Sequence, residues 1–199
     1  VNNKYKNFDL ALSGIFSLTK EKPLPGAQYY SNPMHALKFA LTPSVPIYNE
    51  DGSYNKSVKE LNYMNLVEEN EINTHRSRIA RTFASAEAGY TILKGLRLST
   101  VFNVDYINTN EFRYFSPESA DGRSPNGQGD FYRVENLTYN SNTRLNYAAK
   151  FGEHSVDVLA AYEIHSWDKD YAFAEAKNYA TDKKNVLNVA STPVEIGNY

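Results

Sequence analysis

Four histidines, His35, His75, His154 and His165, are the first residues to weigh for metal or acid–base chemistry. No two of them have a ligand spacing on a common helix face, and the chain has no cysteine to complete a zinc set. Solvated surface histidines are the simpler reading. Asn49-Glu50-Asp51-Gly52-Ser53 has a faint calcium-loop character. In an EF-hand register, however, the first and last ligand positions fall on Ile47 and Val58, which cannot coordinate. A turn is expected there. Asp121-Gly122-Arg123 has the groups to bind an ion or clamp a partner, but a tight turn with a solvent-facing Arg123 accounts for it. Glu118, Asp121 and Asp130 are the best carboxylates for a glycosidase pair, which needs ~5–9.5 Å of separation across a cleft. A loop rich in Pro and Gly gives them no rigid frame. No nucleophile elbow, Walker A or Rossmann fingerprint occurs. The expectation is a protein that is not an enzyme and uses no cofactor and no metal.

Composition narrows the class. The 199 residues carry a formal charge of −2 with no Lys/Arg cluster, which argues against nucleic acid as a partner. Tyrosine is abundant, 16 against a single Trp, as in β-rich or interface-rich chains where the ring packs and the hydroxyl stays wet. No apolar run reaches ~18 residues, so a transmembrane helix is not expected. Barrel strands remain open, since each needs only ~9–11 residues with alternate positions apolar. The start, Val1 to Tyr5, is not a signal peptide. For an exported protein it would be either a processed end or not the natural beginning.

The elements that must carry these side chains show themselves through period two. Leu96, Leu98, Thr100, Phe102, Val104 and Tyr106 share one face, and Arg97, Ser99, Val101, Asn103 and Asp105 the other. Before them Ala84, Ala86, Ala88, Tyr90 and Ile92 alternate with Ser85, Glu87, Gly89 and Thr91. Keeping both apolar sets on one face requires an odd loop at Leu93-Lys94-Gly95, with Gly95 at the position that favours positive φ. A second hairpin pairs the odd positions Leu137, Tyr139, Leu145, Tyr147, Ala149 and Phe151 with the even positions Val156, Val158, Ala160, Tyr162 and Ile164. Parity there demands an even loop around Gly152-Glu153-His154-Ser155. Phe8, Leu10, Leu12, Phe16 and Leu18 mark an earlier strand.

Five strands are therefore expected, about 5–19, 76–92, 96–109, 131–151 and 155–169, with long connections at 20–75, 110–130 and 170–199. Pro23, Pro25, Pro33, Pro43 and Pro46 keep the first long connection out of any central strand, and Met34 to Leu41 suit one short helix. Short turns alternating with long loops are the habit of outer-membrane barrels. Eleven residues tilted by ~45° rise about 25 Å, the height of the lipid-facing band. The predicted fold class is all-β, with antiparallel up-and-down strands forming part of a large transmembrane barrel. The alternative is a secreted β-sandwich that binds glycans or another protein and buries the same apolar faces between two sheets.

Several stretches carry a family resemblance. They are Asn32-Pro33, Pro46-Ile47-Tyr48-Asn49-Glu50-Asp51-Gly52-Ser53-Tyr54, Tyr114-Phe115-Ser116-Pro117-Glu118 with Asp121-Gly122-Arg123, Glu135-Asn136-Leu137-Thr138-Tyr139-Asn140, Ala160-Ala161-Tyr162-Glu163 and Leu187-Asn188-Val189-Ala190-Ser191. In this order they resemble SusC/RagA-type TonB-dependent outer-membrane transporters, over most of the chain. The resemblance implies a large barrel with an N-terminal plug, the TonB complex as energy source, and a SusD-like lipoprotein that captures oligosaccharides or peptides at the cell surface. The plug, the TonB-contact segment and most of a 22-stranded wall are not found in these residues, so a segment of a longer polypeptide is expected.

On that reading Leu96, Leu98, Phe102, Val104, Tyr106, Val156, Val158 and Tyr162 face outer-membrane lipid. Tyr90, Tyr106 and Tyr162 lie at girdle levels. Glu87, Arg97, Asn103, Asp105, Asn146, Asp157 and Glu163 face the lumen. Tyr48, Tyr54, Tyr114, Phe115, Arg123 and Trp167, placed in or beside the outer loops, are candidates for contact with substrate or the lipoprotein.

Overall fold

The structure is a computed structural model that describes residues 2–26, 29, 31–34, 44–59, 64–180 and 186–198. The described strands form one seven-stranded sheet in chain order: β1 (Asn2–Tyr5), β2 (Phe8–Glu21), β3 (Thr74–Leu93), β4 (Leu96–Phe115), β5 (Gln128–Phe151), β6 (His154–Tyr179) and β7 (Ala190–Asn198). One short helix, α1 (Leu66–Ile72), and a 3₁₀ turn at Leu187–Val189 complete the described elements. No second sheet occurs among them, so the sandwich alternative is not what these residues build. The antiparallel up-and-down order is the one expected of a barrel wall.

Several elements differ from the sequence expectation. The first strand is a hairpin, with a turn at Lys6-Asn7 and pairs running from Tyr5↔Phe8 to Asn2↔Ala11. Lys6 takes a left-handed φ of 52° without the glycine that would have announced it. The central strands are longer than the apolar alternation, 20 to 26 residues each. Twenty residues at ~3.3 Å each exceed the ~25 Å apolar band even when tilted. The surplus lies where polar side chains such as Asn108 and Asn110 replace the apolar ones, and a sequence pattern there looks like loop. Residues 170–179 and 190–198, expected as loop, are strand. The helix expected over Met34 to Leu41 lies almost wholly outside the described residues.

The chain divides into two compact units. The first comprises Val1–Leu18, Ile79–Asn108 and Val134–Asp170. It contains the tight turns Lys6-Asn7, Lys94-Gly95 and Gly152-Glu153. Gly95 and Gly152 have φ of 85° and 62°. Side-chain bonds fix the facing. Arg81 pairs with Asp105 at 2.6 Å, so odd positions of β3 and β4 share a face. Thr100 bonds Thr143 at 3.0 Å and Phe102 stacks on Tyr139, so even positions of β4 meet odd positions of β5. Asn140 and Asn142 both donate to Glu163, which puts even β5 with odd β6 on the polar side. The apolar set of each strand thus forms one continuous face.

The second unit comprises Thr19–Arg78, Thr109–Arg133 and Tyr171–Tyr199. It holds every buried large hydrophobic side chain among the described residues. Phe112, Tyr114 and Tyr179 form one cluster, with Phe131, Leu187 and Val189 against it. Met64 forms another with Val58, Leu66 and Ala120.

Candidate functional site

In the first unit the two faces have opposite chemistry. On the apolar side Phe102, Val158 and Tyr162 remain 44%, 52% and 68% exposed, and Leu98 and Val156 are exposed as well. Leu96, Val104 and Tyr106 are half-buried among their strand neighbours. On the polar side Arg97 reaches across β3 to Asp9 of β2 at 2.8 Å. Gly89 lies beneath this pair, and a Cβ there would stand 2.0 Å from the Arg97 guanidinium and 2.8 Å from the Asp9 carboxylate. The ion pair bridges three strands because the middle one has no side chain at the crossing. Glu87, Asn103, Asn146 and Asp157 fall on this same side by strand parity. Hydrophobic side chains interrupt it: Ile15, Leu159 and Trp167 are all largely exposed there. Trp167 is therefore a mid-strand residue of β6 and not a loop residue.

In the second unit the long connections are tied down by polar contacts. Asn65 caps α1 by accepting from the Val67 and Glu68 amides, while its own amide donates to the carbonyls of Ile47 and Asn55. Asn49 to Ser53 form a tight turn in which the Asp51 carboxylate accepts from the Ser53 amide and hydroxyl. Those bonds hold the Asp51 carboxyl below its ordinary pKa. Asp51 is thus occupied by its own turn, and no metal-binding group of His, Asp and Glu occurs among the described residues. Tyr48 and Tyr54 flank the turn as a bridged pair with rings 5.3 Å apart. The Tyr54 hydroxyl donates to Glu71 at 2.6 Å, and this bond raises the phenol to about 12.

Residues 116–127 form a compact turn structure. Asp121 accepts from both the amide and hydroxyl of Ser31. Glu69 of α1 is buried and accepts from the Ala120 amide, and Asn73 accepts from the Ser116 amide. Arg123 closes the turn through its backbone and leaves its side chain exposed. Asp130, the third carboxylate of the imagined glycosidase set, is buried against Arg113 at 3.1 Å. Arg113 in turn lies over the rings of Tyr29 and Tyr132.

Two of the expected contact residues are corrected by this packing. Tyr114 and Phe115 are each only 1% exposed. Tyr114 packs edge-on against Tyr179, and Phe115 stacks on Tyr29 with His75 at its edge. They frame the loops and present no surface to a ligand. His75, set aside in the sequence as a surface histidine, is buried as well. His154 and His165 are exposed, and His35 lies outside the described residues.

Similarity to known proteins agrees with the geometry. No family model matches the chain. Over 157 residues it is 26% identical to the TonB-dependent receptor P3 of Formosa agariphila, covering 77% of this chain and 15% of that protein. Over 158 residues it is 23% identical to the TonB-dependent receptor P26 of the same organism, with 16% of that protein covered. The whole chain superposes on a structure of the RagAB peptide transporter with a TM-score of 0.80 at 13% identity, and on RagAB in its open-open state with a TM-score of 0.76 at 14% identity. In both it covers 23% of the matched chain. The chain thus spans about a sixth of the curated relatives it matches. The class defined by fold and faces is the outer-membrane β-barrel. Within that class the chain resembles part of the wall of TonB-dependent receptors and shares the fold of the corresponding part of the RagAB transporter.

Proposed function

We propose that these residues form part of the wall and outer loops of an importer that takes up oligosaccharides or peptides with a SusD-like surface lipoprotein. The TonB complex would drive it through a part of the polypeptide outside this chain. One observation carries the reading: the apolar face of the first unit is continuous over five strands, and its large side chains stay exposed among the described residues. Apolar area left in water forgoes its main stabilisation, so such a face requires hydrocarbon. Leu96, Leu98, Phe102, Val104, Tyr106, Val156, Val158 and Tyr162 then meet lipid. Glu87, Arg97, Asn103, Asp105, Asn146, Asp157 and Glu163 line the lumen, now joined by Trp167. Tyr48, Tyr54 and Arg123 remain as the loop groups positioned to touch cargo or lipoprotein.

In the intact transporter Leu98→Arg should cost ~2–4 kcal/mol if Leu98 lies near the bilayer midplane, while Asn103→Arg on the opposite face should be tolerated. Barrel heat stability in lipid measures both, and equal effects would contradict the facing. Uptake of labelled oligosaccharide and of labelled peptide, in cells with and without a working TonB, separates the cargo classes. Uptake that persists without TonB would refute the energised-importer reading.

A further inference from the structure

At the long-loop end of β2 and β3 the apolar face changes character. Along β2 the apolar positions Phe16 and Leu18, 69% and 43% exposed, are followed at the same parity by Lys20. Along β3 Arg78 and Arg76 stand beyond Ala84, Thr82 and Ala80, again at the same parity. Lys20, Arg76 and Arg78 are all exposed and all belong to the second unit.

The register brings two of these cations together. Asp9 of β2 lies across from Gly89 of β3, and Ile15 with Phe83 and Ser17 with Arg81 line one shallow recess. Carried three residues further, the same register sets Lys20 opposite Arg78, on the face away from Arg81. Side chains so opposed have Cβ atoms ~4.5–5.5 Å apart. The facing of Arg76 is fixed independently: its guanidinium lies 4.6 Å over the ring of Phe112, an even position of β4 like Phe102. Like charges directly opposed across a ladder destabilise it. Neither Lys20 nor Arg78 meets a carboxylate among the described residues. Asn108 and Asn110, at even positions of β4, are uncharged. An anion is what this arrangement lacks.

We propose that Lys20, Arg76 and Arg78 hold a phosphate group of an outer-leaflet glycolipid, against the outward side of the wall just beyond the hydrocarbon. This rests on the reading above that the even face of these strands meets lipid. Long connections follow this end of the strands, and in outer-membrane barrels long loops face outside, which selects the outer leaflet. A guanidinium presents two parallel donors to phosphate oxygens, and an ammonium on its flexible stem adds a point charge to the same group. Leu18 and Phe16, one and two alternate steps back along the unbroken strand β2, give acyl chains an apolar surface beside the head. Each step rises only ~7 Å, so the head and chains of one lipid reach both. By parity this face is opposite to the one assigned to the lumen, so soluble cargo does not pass it.

The test uses the intact transporter, delipidated in neutral detergent, with native mass spectrometry as readout and bisphosphorylated lipid A as probe. Dephosphorylated lipid A has the same chains without the anion, and inorganic phosphate is the anion without chains. One tightly held lipid A per chain is expected, with the dephosphorylated lipid about tenfold weaker and inorganic phosphate unable to displace it at equal concentration. Lys20→Gln combined with Arg78→Gln should weaken lipid A by about the same factor and leave the dephosphorylated lipid unchanged. The double variant is first checked for the folded band in heat-modifiability gels, and the comparison of the two lipids on the parent protein needs no variant. Equal binding of the two lipids overturns the proposal. So does lipid A binding that the double variant retains in full. Displacement by inorganic phosphate overturns it in favour of a soluble anion. The Leu98→Arg measurement reads the lipid facing by itself: where that variant destabilises the barrel and lipid A still ignores the two cations, only the headgroup site fails.

Discussion

His75 is a base that its surroundings keep neutral, and this has a consequence for stability. Its pKa is about 4 in the folded unit against 6.5 for a free imidazole. Between those values the unfolded chain binds the proton and the folded one does not. The stabilisation is complete above pH 6.5 and is lost as pH falls through 4, for a total of roughly 3 kcal/mol. Glu69 works in the opposite sense: burial raises its carboxyl, so protonation on acidification favours the folded form. Amide exchange over residues 64–78 and 109–121, corrected for intrinsic pH dependence, should show loosening as pH falls from 7 to 4.5. His75→Phe should remove that trend, and an unchanged profile in the variant would assign the effect elsewhere.

At the level of elements, two glycines in equivalent turns are predicted to differ. Gly152 has a positive φ but open space around it, so Gly152→Ala should cost only the left-handed strain of ~1–2 kcal/mol. Gly95 has the same conformational demand, and a Cβ there would stand 2.2 Å from the Ala148 carbonyl. That carbonyl belongs to the residue whose amide bonds Gly95 across the β4–β5 ladder. Gly95→Ala should therefore be clearly the more damaging of the two in thermal unfolding of the intact barrel. These turns were legible in the sequence because glycine and alternation agree there. The Lys6-Asn7 turn was not, since a lysine at positive φ leaves no signature. Pro193 likewise hides β7, although proline is tolerated on an edge strand, here opposite Ala176 beside a register shift. The packed loop residues were missed for a related reason. Tyr114, Phe115 and His75 sit in polar surroundings in the sequence, and only contacts made by distant segments reveal that they are buried.

For the whole molecule, the first unit leaves large apolar side chains exposed along one face, and the sheet ends in β1 and β7, whose outer edges pair with no other strand among the described residues. Residues 1–199 expressed alone should therefore need detergent or lipid, and without it should associate edge to edge. Sedimentation of the detergent-free chain checks this, and a monomer with a cooperative melt would contradict it.

The bonds that hold the long connections, Ser31 to Asp121, Glu69 to Ala120 and Asn73 to Ser116, begin and end within the second unit. Sequence drift in these connections is therefore constrained mainly by its own internal partners. That set can be exchanged as a block for another, while the apolar alternation of the first unit stays untouched. Change in the loops and conservation of the strand pattern thereby fall under separate constraints within one polypeptide.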